Sequence, residues 1–295
     1  MGSAAGGVML GCQRTSKTVA IRDVDHVTTA LTSRDGAGVA LRRSIGSRAL
    51  PLLDPFLLLD EIHSSDPADY AAGFPQHPHR GFETVSYVLR GGFQHRDSVG
   101  NHGLIHDGGA QWMTAGHGII HEEMPTQTHG PELWGLQLWV NLPAARKMIR
   151  PRYQDLAPSA VPEFDIADAR VRLVAGTIGS HRGPVDGIDI RPTMLDATLA
   201  PGATFSHSLP GADTAFAYVL EGEVTVGQRQ VTAGQLAVLG LGDQVVASSA
   251  GGGRFLLVSG TPLREPVARR GPFVMTTDDE LRQAFADYQN GTLTL

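Results

Sequence analysis

The chain has 295 residues, 41% of them hydrophobic, enough to bury one large core or two ordinary ones. Its formal charge of −6 excludes the electrostatic footprint of direct phosphate-backbone binding, and no apolar run approaches the ~20 residues that a membrane helix needs. The single cysteine, Cys12, excludes a disulfide framework and a cysteine-based zinc site, and it suits a reducing cytoplasm.

The chain opens with "MGSAAGGVMLGCQRTSK", where the basic residues follow a short apolar patch, the reverse of a secretory signal. Residues 1–20 are expected to form a disordered extension. Beyond them, 36 Gly and 18 Pro punctuate short β-type runs such as "ETVSYVL", "LWGLQLWV", "VRLVAG", "FAYVLEGEVTVG" and "GQLAVLG". Many short strands bounded by Gly, Pro and Asp predict an all-β sandwich or barrel rather than βαβ units.

One of these segments repeats. Tyr87-Val-Leu-Arg-Gly-Gly92 has an echo in Tyr218-Val-Leu-Glu-Gly-Glu223, and a Gly-led strand follows each. The spacing is domain-sized, so it predicts two tandem jelly-roll-like β-barrels, residues 21–145 and 171–262. The Pro- and charge-rich residues 146–170 read as the linker. Residues 263–295 read as a strap followed by a short helix. In that helix Thr277-Asp-Asp-Glu280 is a capping box, Leu281, Phe285 and Tyr288 follow near helical spacing, and Gly291 ends the run.

Of the twelve histidines, eight fall between His77 and His129. In a strand, residues i and i+2 share a face, so His77 and His79 aim together, as do His121 and Glu123. If those strands are neighbours, three imidazoles and a carboxylate converge on one point. That set, with coordination positions left open, suits a catalytic divalent metal. A lone His-x-His is more often a surface accident or a hydrogen-bonded core pair, and a lone His-x-Glu is weaker still. The repeat provides a control: its register places Ser208 and Pro210 opposite His77 and His79, and Val246 and Ser248 opposite His121 and Glu123. His207 falls one residue out of phase. The expectation is one metal per chain, in the first barrel.

The strings "HPHRGFETVSYVL", "QWMTAGHGIIHEEMP", "LQLWVNLP", "RYQDL" and "EPVARRGPFVMTT" resemble the pirin family of the cupin superfamily, from about Val24 to the C-terminus. The resemblance implies two cupin barrels and an ion, Fe(II) foremost, held by His77, His79, His121 and Glu123. The donor set itself also accepts Cu, Mn, Ni or Zn. Pirins take their carboxylate from the second motif, which makes Glu83 an outer partner of the site, although its strand phase with His79 leaves a ligand role open.

The resemblance also implies quercetin 2,3-dioxygenase activity on a flavonol-like substrate with O2, with Glu123 alternating as ligand and base. Phe82, Trp112 and Met113 are candidates for an apolar wall, though ordinary core is the readier reading, and His95 is a candidate for orienting a ligand or the substrate. His102, His106, His117 and His129 read as solvated loop residues. The alternative is a non-catalytic iron protein acting through protein partners, as a transcription cofactor or a modulator of metabolic enzymes.

Overall fold

The structure, a computed structural model, describes residues 19–127 and 130–295. The expected N-terminal extension lies almost wholly outside the described residues, as does His129. The first half of the chain carries strands β1 (Val24–Thr29), β2 (Leu31–Asp35), β3 (Val39–Arg43), β4 (Phe56–Ser64), β5 (Phe74–His79), β6 (Phe82–Arg90), β7 (Gly92–Asp97), β8 (His102–His106), β9 (Ala110–Thr114), β10 (Ile119–Thr126), β11 (Leu133–Asn141) and β12 (Arg152–Leu156). The second half carries β13 (Glu163–Ile166), β14 (Ala169–Ala175), β15 (Thr177–Ile178), β16 (His181–Arg182), β17 (Thr193–Leu199), β18 (Thr204–Ser208), β19 (Thr214–Val226), β20 (Arg229–Thr232), β21 (Gln235–Leu239), β22 (Gln244–Ser248) and β23 (Gly253–Gly260).

These strands build two cupin domains. In the first, a seven-stranded sheet in the order β12-β9-β6-β11-β4-β3-β2 faces a four-stranded sheet in the order β5-β10-β7-β8. In the second, the long β19 pairs with β21 and β23 in one layer and with β20 and β22 in the other. The sheets are open, not closed into the expected barrels. The edges are managed by exchange instead. β1 leaves its own domain to pair with β21, while β12, inside the expected linker, pairs with β9 of the first domain. An edge strand covered in this way needs no closure.

The two large sheets pack against each other through one hydrophobic cluster, which joins Val85, Tyr87, Trp112 and Leu136 to Phe216, Tyr218, Leu236 and Leu256. Burial on both faces explains the unbroken apolar runs: every β6 residue from Phe82 to Leu89 is buried. Two polar clusters cross the interface in matching fashion. Tyr87 Oη donates to Asp196 at 2.8 Å, and Arg254 pairs with the same carboxylate at 2.6 Å. Tyr218 Oη donates to Glu61, which Arg42 also pairs at 2.7 Å and Trp134 Nε1 reaches at 2.8 Å.

The C-terminal strap forms the hairpin β24 (Ala268–Arg270) and β25 (Phe273–Met275), then helix α1 (Asp278–Gln289). Both hydrogen bonds of the predicted capping box at Thr277 and Glu280 are present. The strap folds back on the first domain, where Arg80 bonds Asp287 at 2.6 Å. The buried Lys147 ammonium uses its three protons on Gly81 O at 2.8 Å, Asn141 Oδ1 at 2.7 Å and Val274 O at 3.1 Å. Gly81 sits at φ +87, and a Cβ there would lie 2.0 Å from Val274 O, so only glycine lets the strap close so tightly.

Candidate metal centre

The four-stranded sheet determines which residues meet. His121 on β10 stands opposite His77 on β5, with Ile119 opposite His79. On its other side β10 pairs with β7, which places Glu123 opposite His95. Pro78 can sit between the two β5 histidines because β5 is an edge strand of this sheet.

Ring nitrogens of His77, His79 and His121 lie within 4.8 Å of one another, and so do donor atoms of His95, His121 and Glu123. The sheet thus gathers five candidate ligands in two overlapping groups that share His121, with Glu123 in the group beside His95. Sequence phase identified four of them and assigned His95 an outer role. The signal for His95 was available only through the β7–β10 register.

Hydrogen bonds settle the tautomers of the first pair. His77 Nδ1 lies 2.8 Å from Pro75 O, and His79 Nδ1 lies 3.2 Å from Pro272 O of the strap. A carbonyl oxygen only accepts, so each Nδ1 carries a proton, and in the neutral ring each Nε2 then presents a lone pair. Those two Nε2 atoms face each other at 3.1 Å. Neither nitrogen of the buried His121 has a hydrogen-bond partner. Burial, then the neighbouring His77, holds His79 well below the usual imidazole range. Burial, then His79, His77 and His95, does the same to His121. Neutral imidazoles with converging lone pairs fit a divalent cation, since cis ligands at about 2.1 Å from an ion are about 3 Å apart.

Glu123 is held from the facing sheet. Ser86 Oγ lies 2.7 Å from its Oε1, Gln111 Nε2 donates to the same oxygen at 2.5 Å, and Gln137 Nε2 donates to Oε2 at 3.2 Å. Sequence reading missed these three, although Gln111 and Gln137 are polar residues inside apolar strand runs. His95 Nε2 bonds Asp97 at 3.2 Å, and its ring stacks on Tyr153 with centroids 4.6 Å apart.

The other candidates separate by face. Glu83 is turned away from the histidines and accepts from Thr114 Oγ1 at 2.7 Å. Burial pushes its carboxyl up to about 7. Its phase relation to His79 does not hold, because Gly81 turns the chain between β5 and β6 and the two strands lie in different sheets. Trp112 belongs to the interdomain cluster. Met113 packs with Ala115 and Ile119. Phe82 meets the His79 ring edge-on, with centroids 4.9 Å apart, and packs at a tilt against Trp139. None of the three lines the cavity that opens beside the cluster. That cavity, about 650 Å3, is bounded by His77, His79, Glu123, Arg43, Asp60, Phe74, Gln137, Trp139 and Arg269, among others. Its volume is typical of a small-molecule site. His102 is exposed, as expected, but it and His106 are the end residues of β8 and not loop residues, and His106 and His117 are half-buried.

On β18 and β22 of the second domain the inward-facing residues are Phe205, His207, Val245 and Ala247. The expected register was off by one here: His207 points inward and Ser208 outward.

Two tandem cupin domains, with a His/Glu cluster able to bind a metal in the first, define a bicupin metal-site protein. Residues 38–140 match the Pirin family and residues 194–294 the Pirin C-terminal cupin domain, so the chain belongs to the pirin family. It is 43% identical to human Pirin over 275 residues, 90% of this chain and 92% of that one. It is also 43% identical over 282 residues to the Pseudomonas aeruginosa protein PA3240, provisionally named a quercetin 2,3-dioxygenase, covering 93% of this chain and 99% of that one. A crystal structure of quercetin 2,3-dioxygenase from Acinetobacter baumannii superposes with a TM-score of 0.85 at 32% identity, over 93% of this chain and 99% of that one. Among the described residues, no helix is long and apolar enough to cross a membrane.

Proposed function

We propose that this protein is a metal-dependent dioxygenase that opens a ring of a flavonol or a similar enolisable substrate with O2. His77, His79, His121 and Glu123 are its ligands, and Fe(II) its working ion. The reading rests on one observation above all: the Nε2 atoms of His77 and His79 3.1 Å apart, beside an unpartnered His121, at the wall of a 650 Å3 cavity. The resemblance to proteins that carry the quercetin 2,3-dioxygenase name supports it.

A divalent ion would supply the Lewis acidity that ionises a substrate hydroxyl and the redox activity that O2 chemistry requires. The remaining roles fall to the chain. Glu123 takes the proton of the substrate hydroxyl on a carboxylate oxygen. Gln111, Gln137 and Ser86 hold that carboxylate in place before and after the transfer, which limits reorganisation. Leu58, Ile62 and Phe74 line the cavity with apolar surface and exclude water from the substrate ring. A role confined to binding protein partners would need no such cavity beside the cluster, and this favours turnover.

The test is anaerobic reconstitution with Fe(II), then addition of quercetin and air. Loss of the flavonol absorbance is expected. No loss above the metal-free control with iron, copper, manganese and nickel would overturn the reading.

A further inference from the structure

The cavity wall holds two arginines that differ in one respect. Arg43 is neutralised by carboxylates: Nε and Nη2 grip Asp60 at 2.7 and 2.6 Å, and Nη2 also reaches Asp35 at 2.6 Å. Arg269, on the strap, has a single hydrogen bond, from Nη1 to Leu57 O at 2.7 Å. Among the described residues no carboxylate forms an ion pair with it. Arg269 is exposed, and among the described residues its remaining guanidinium N–H groups have no acceptor, so they are open to a ligand from the cavity side.

The side chain is nevertheless held at two points, by that bond and by an aromatic face. Its guanidinium lies 4.8 Å over the Trp139 ring, and Phe82 packs 4.3 Å from the same ring. A stacked guanidinium of this kind is pre-organised, with little freedom left to lose on binding. Trp139 in turn touches the His79 ring, with centroids 5.1 Å apart. Arg269 therefore stands within about 10 Å of a proposed ligand, across one tryptophan, and lines the same cavity.

Resting on the function proposed above, the geometry points to Arg269 as the residue that selects the substrate by binding an anionic oxygen on the part of it remote from the metal. The substrate class is then narrower than an enolisable ring: a planar molecule carrying an acidic hydroxyl or a carboxylate, one end at the histidines and the other at Arg269. The planar fork of arginine suits such an oxyanion, and its hydrogen bond is charge-assisted. Arg43 is a poorer anion site, because the carboxylates of Asp60 and Asp35 already neutralise its charge.

Zinc-loaded protein, which cannot oxidise its ligand, separates binding from turnover. Quercetin and, independently, salicylate are titrated against wild type, Arg269→Gln and Arg269→Lys by calorimetry, with metal content measured on each. Arg269→Gln is expected to raise the Kd of at least one probe by about tenfold and to flatten its dependence on salt, with unchanged zinc content and partial recovery in Arg269→Lys. In the iron protein KM is expected to rise by more than kcat falls. Binding of salicylate through Arg269 without any quercetin turnover would uphold the anion site and sink the flavonol reading. Wild-type affinity for both probes in Arg269→Gln, or no binding of either by wild type, would overturn the inference.

Discussion

The two cupin domains share a ladder and differ in what they point inward. Ser86 pairs with Gln111 and Gln137 in the first domain, and the same register in the second pairs Ala217 with Ala237 and Leu257. The three residues that hold Glu123 are thus matched, position for position, by small or branched aliphatic ones. The outward positions behave differently. Tyr87, Leu136 and Glu61 align across their strands as Tyr218, Leu256 and Asp196 do, and each tyrosine bonds the carboxylate of the other domain. The interface is therefore kept in both halves and the polar interior in one. Burying unpaired polar groups costs free energy, so a domain without the cluster is better filled with apolar side chains.

The contrast is broken most completely at the cluster. His121→Ala is expected to reduce bound metal to background while circular dichroism stays β-rich, because His121 belongs to both ligand groups and neither hydrophobic core rests on it. His207→Ala, the inward histidine of the second domain, is expected to leave metal content unchanged. Elemental analysis of the two purified variants decides the matter, and equal loss in both would erase the distinction between the domains.

The shared interface should respond in the opposite, symmetric way. Glu61→Ala strands Arg42, Trp134 and Tyr218, and Asp196→Ala strands Arg254 and Tyr87. Removing one partner of a buried charged network typically costs about 3–5 kcal/mol. Denaturant unfolding is expected to show losses of that order for both variants. A large loss in one alone would mean that the interface is not the symmetric element its geometry describes.

Glu83 sharpens the comparison through pH. Its counterpart in the second domain is Thr214, which does not titrate in this range. Glu83 is raised from 4.5 to about 7 by burial. Between those values the native state holds more protons than the unfolded chain, so stability falls as pH rises and remains lower above about 7. Glu83→Gln removes that loss and is expected to gain at most about 3 kcal/mol at pH 8 and little at pH 4. Unfolding midpoints at the two pH values measure it, and a gain that is the same at both would refute the assignment.

Local pattern made much of this legible. The i, i+2 spacing brought His77 to His79 and His121 to Glu123 within their strands, the Tyr-Val-Leu repeat announced two domains, and Thr277 with Glu280 announced a helix start. What stayed hidden depends on contacts distant in sequence. The exchange of β1 and β12 leaves no mark on either strand's own pattern. His95 joins the cluster only through its pairing opposite Glu123. The strand phase that left a ligand role open for Glu83 runs across a turn that changes sheet, where it carries no information. The cavity wall takes Arg269 and Pro272 from a strap nearly 200 residues after His79 (the bond to Pro272 spans 193 positions), which no local periodicity could bring there.

That strap packs its hairpin and helix on the first domain, and its cap offers the smallest and most local test. Thr277 accepts the Glu280 amide, and Glu280 returns the bond to the Thr277 backbone. Thr277→Ala is expected to cost about 1 kcal/mol. The loss should appear as faster hydrogen exchange in the first turn of α1, because that turn is exposed except at Leu281. The effect should fade before β25, where Lys147 holds Val274 and Phe273 packs in the strap's own cluster. Pro272 O would then keep its contact with His79, and metal content should not change. Faster exchange spreading through β25, with metal lost at the same time, would instead make the helix part of the cluster's support, and the first domain would depend on its strap more than on its own two sheets.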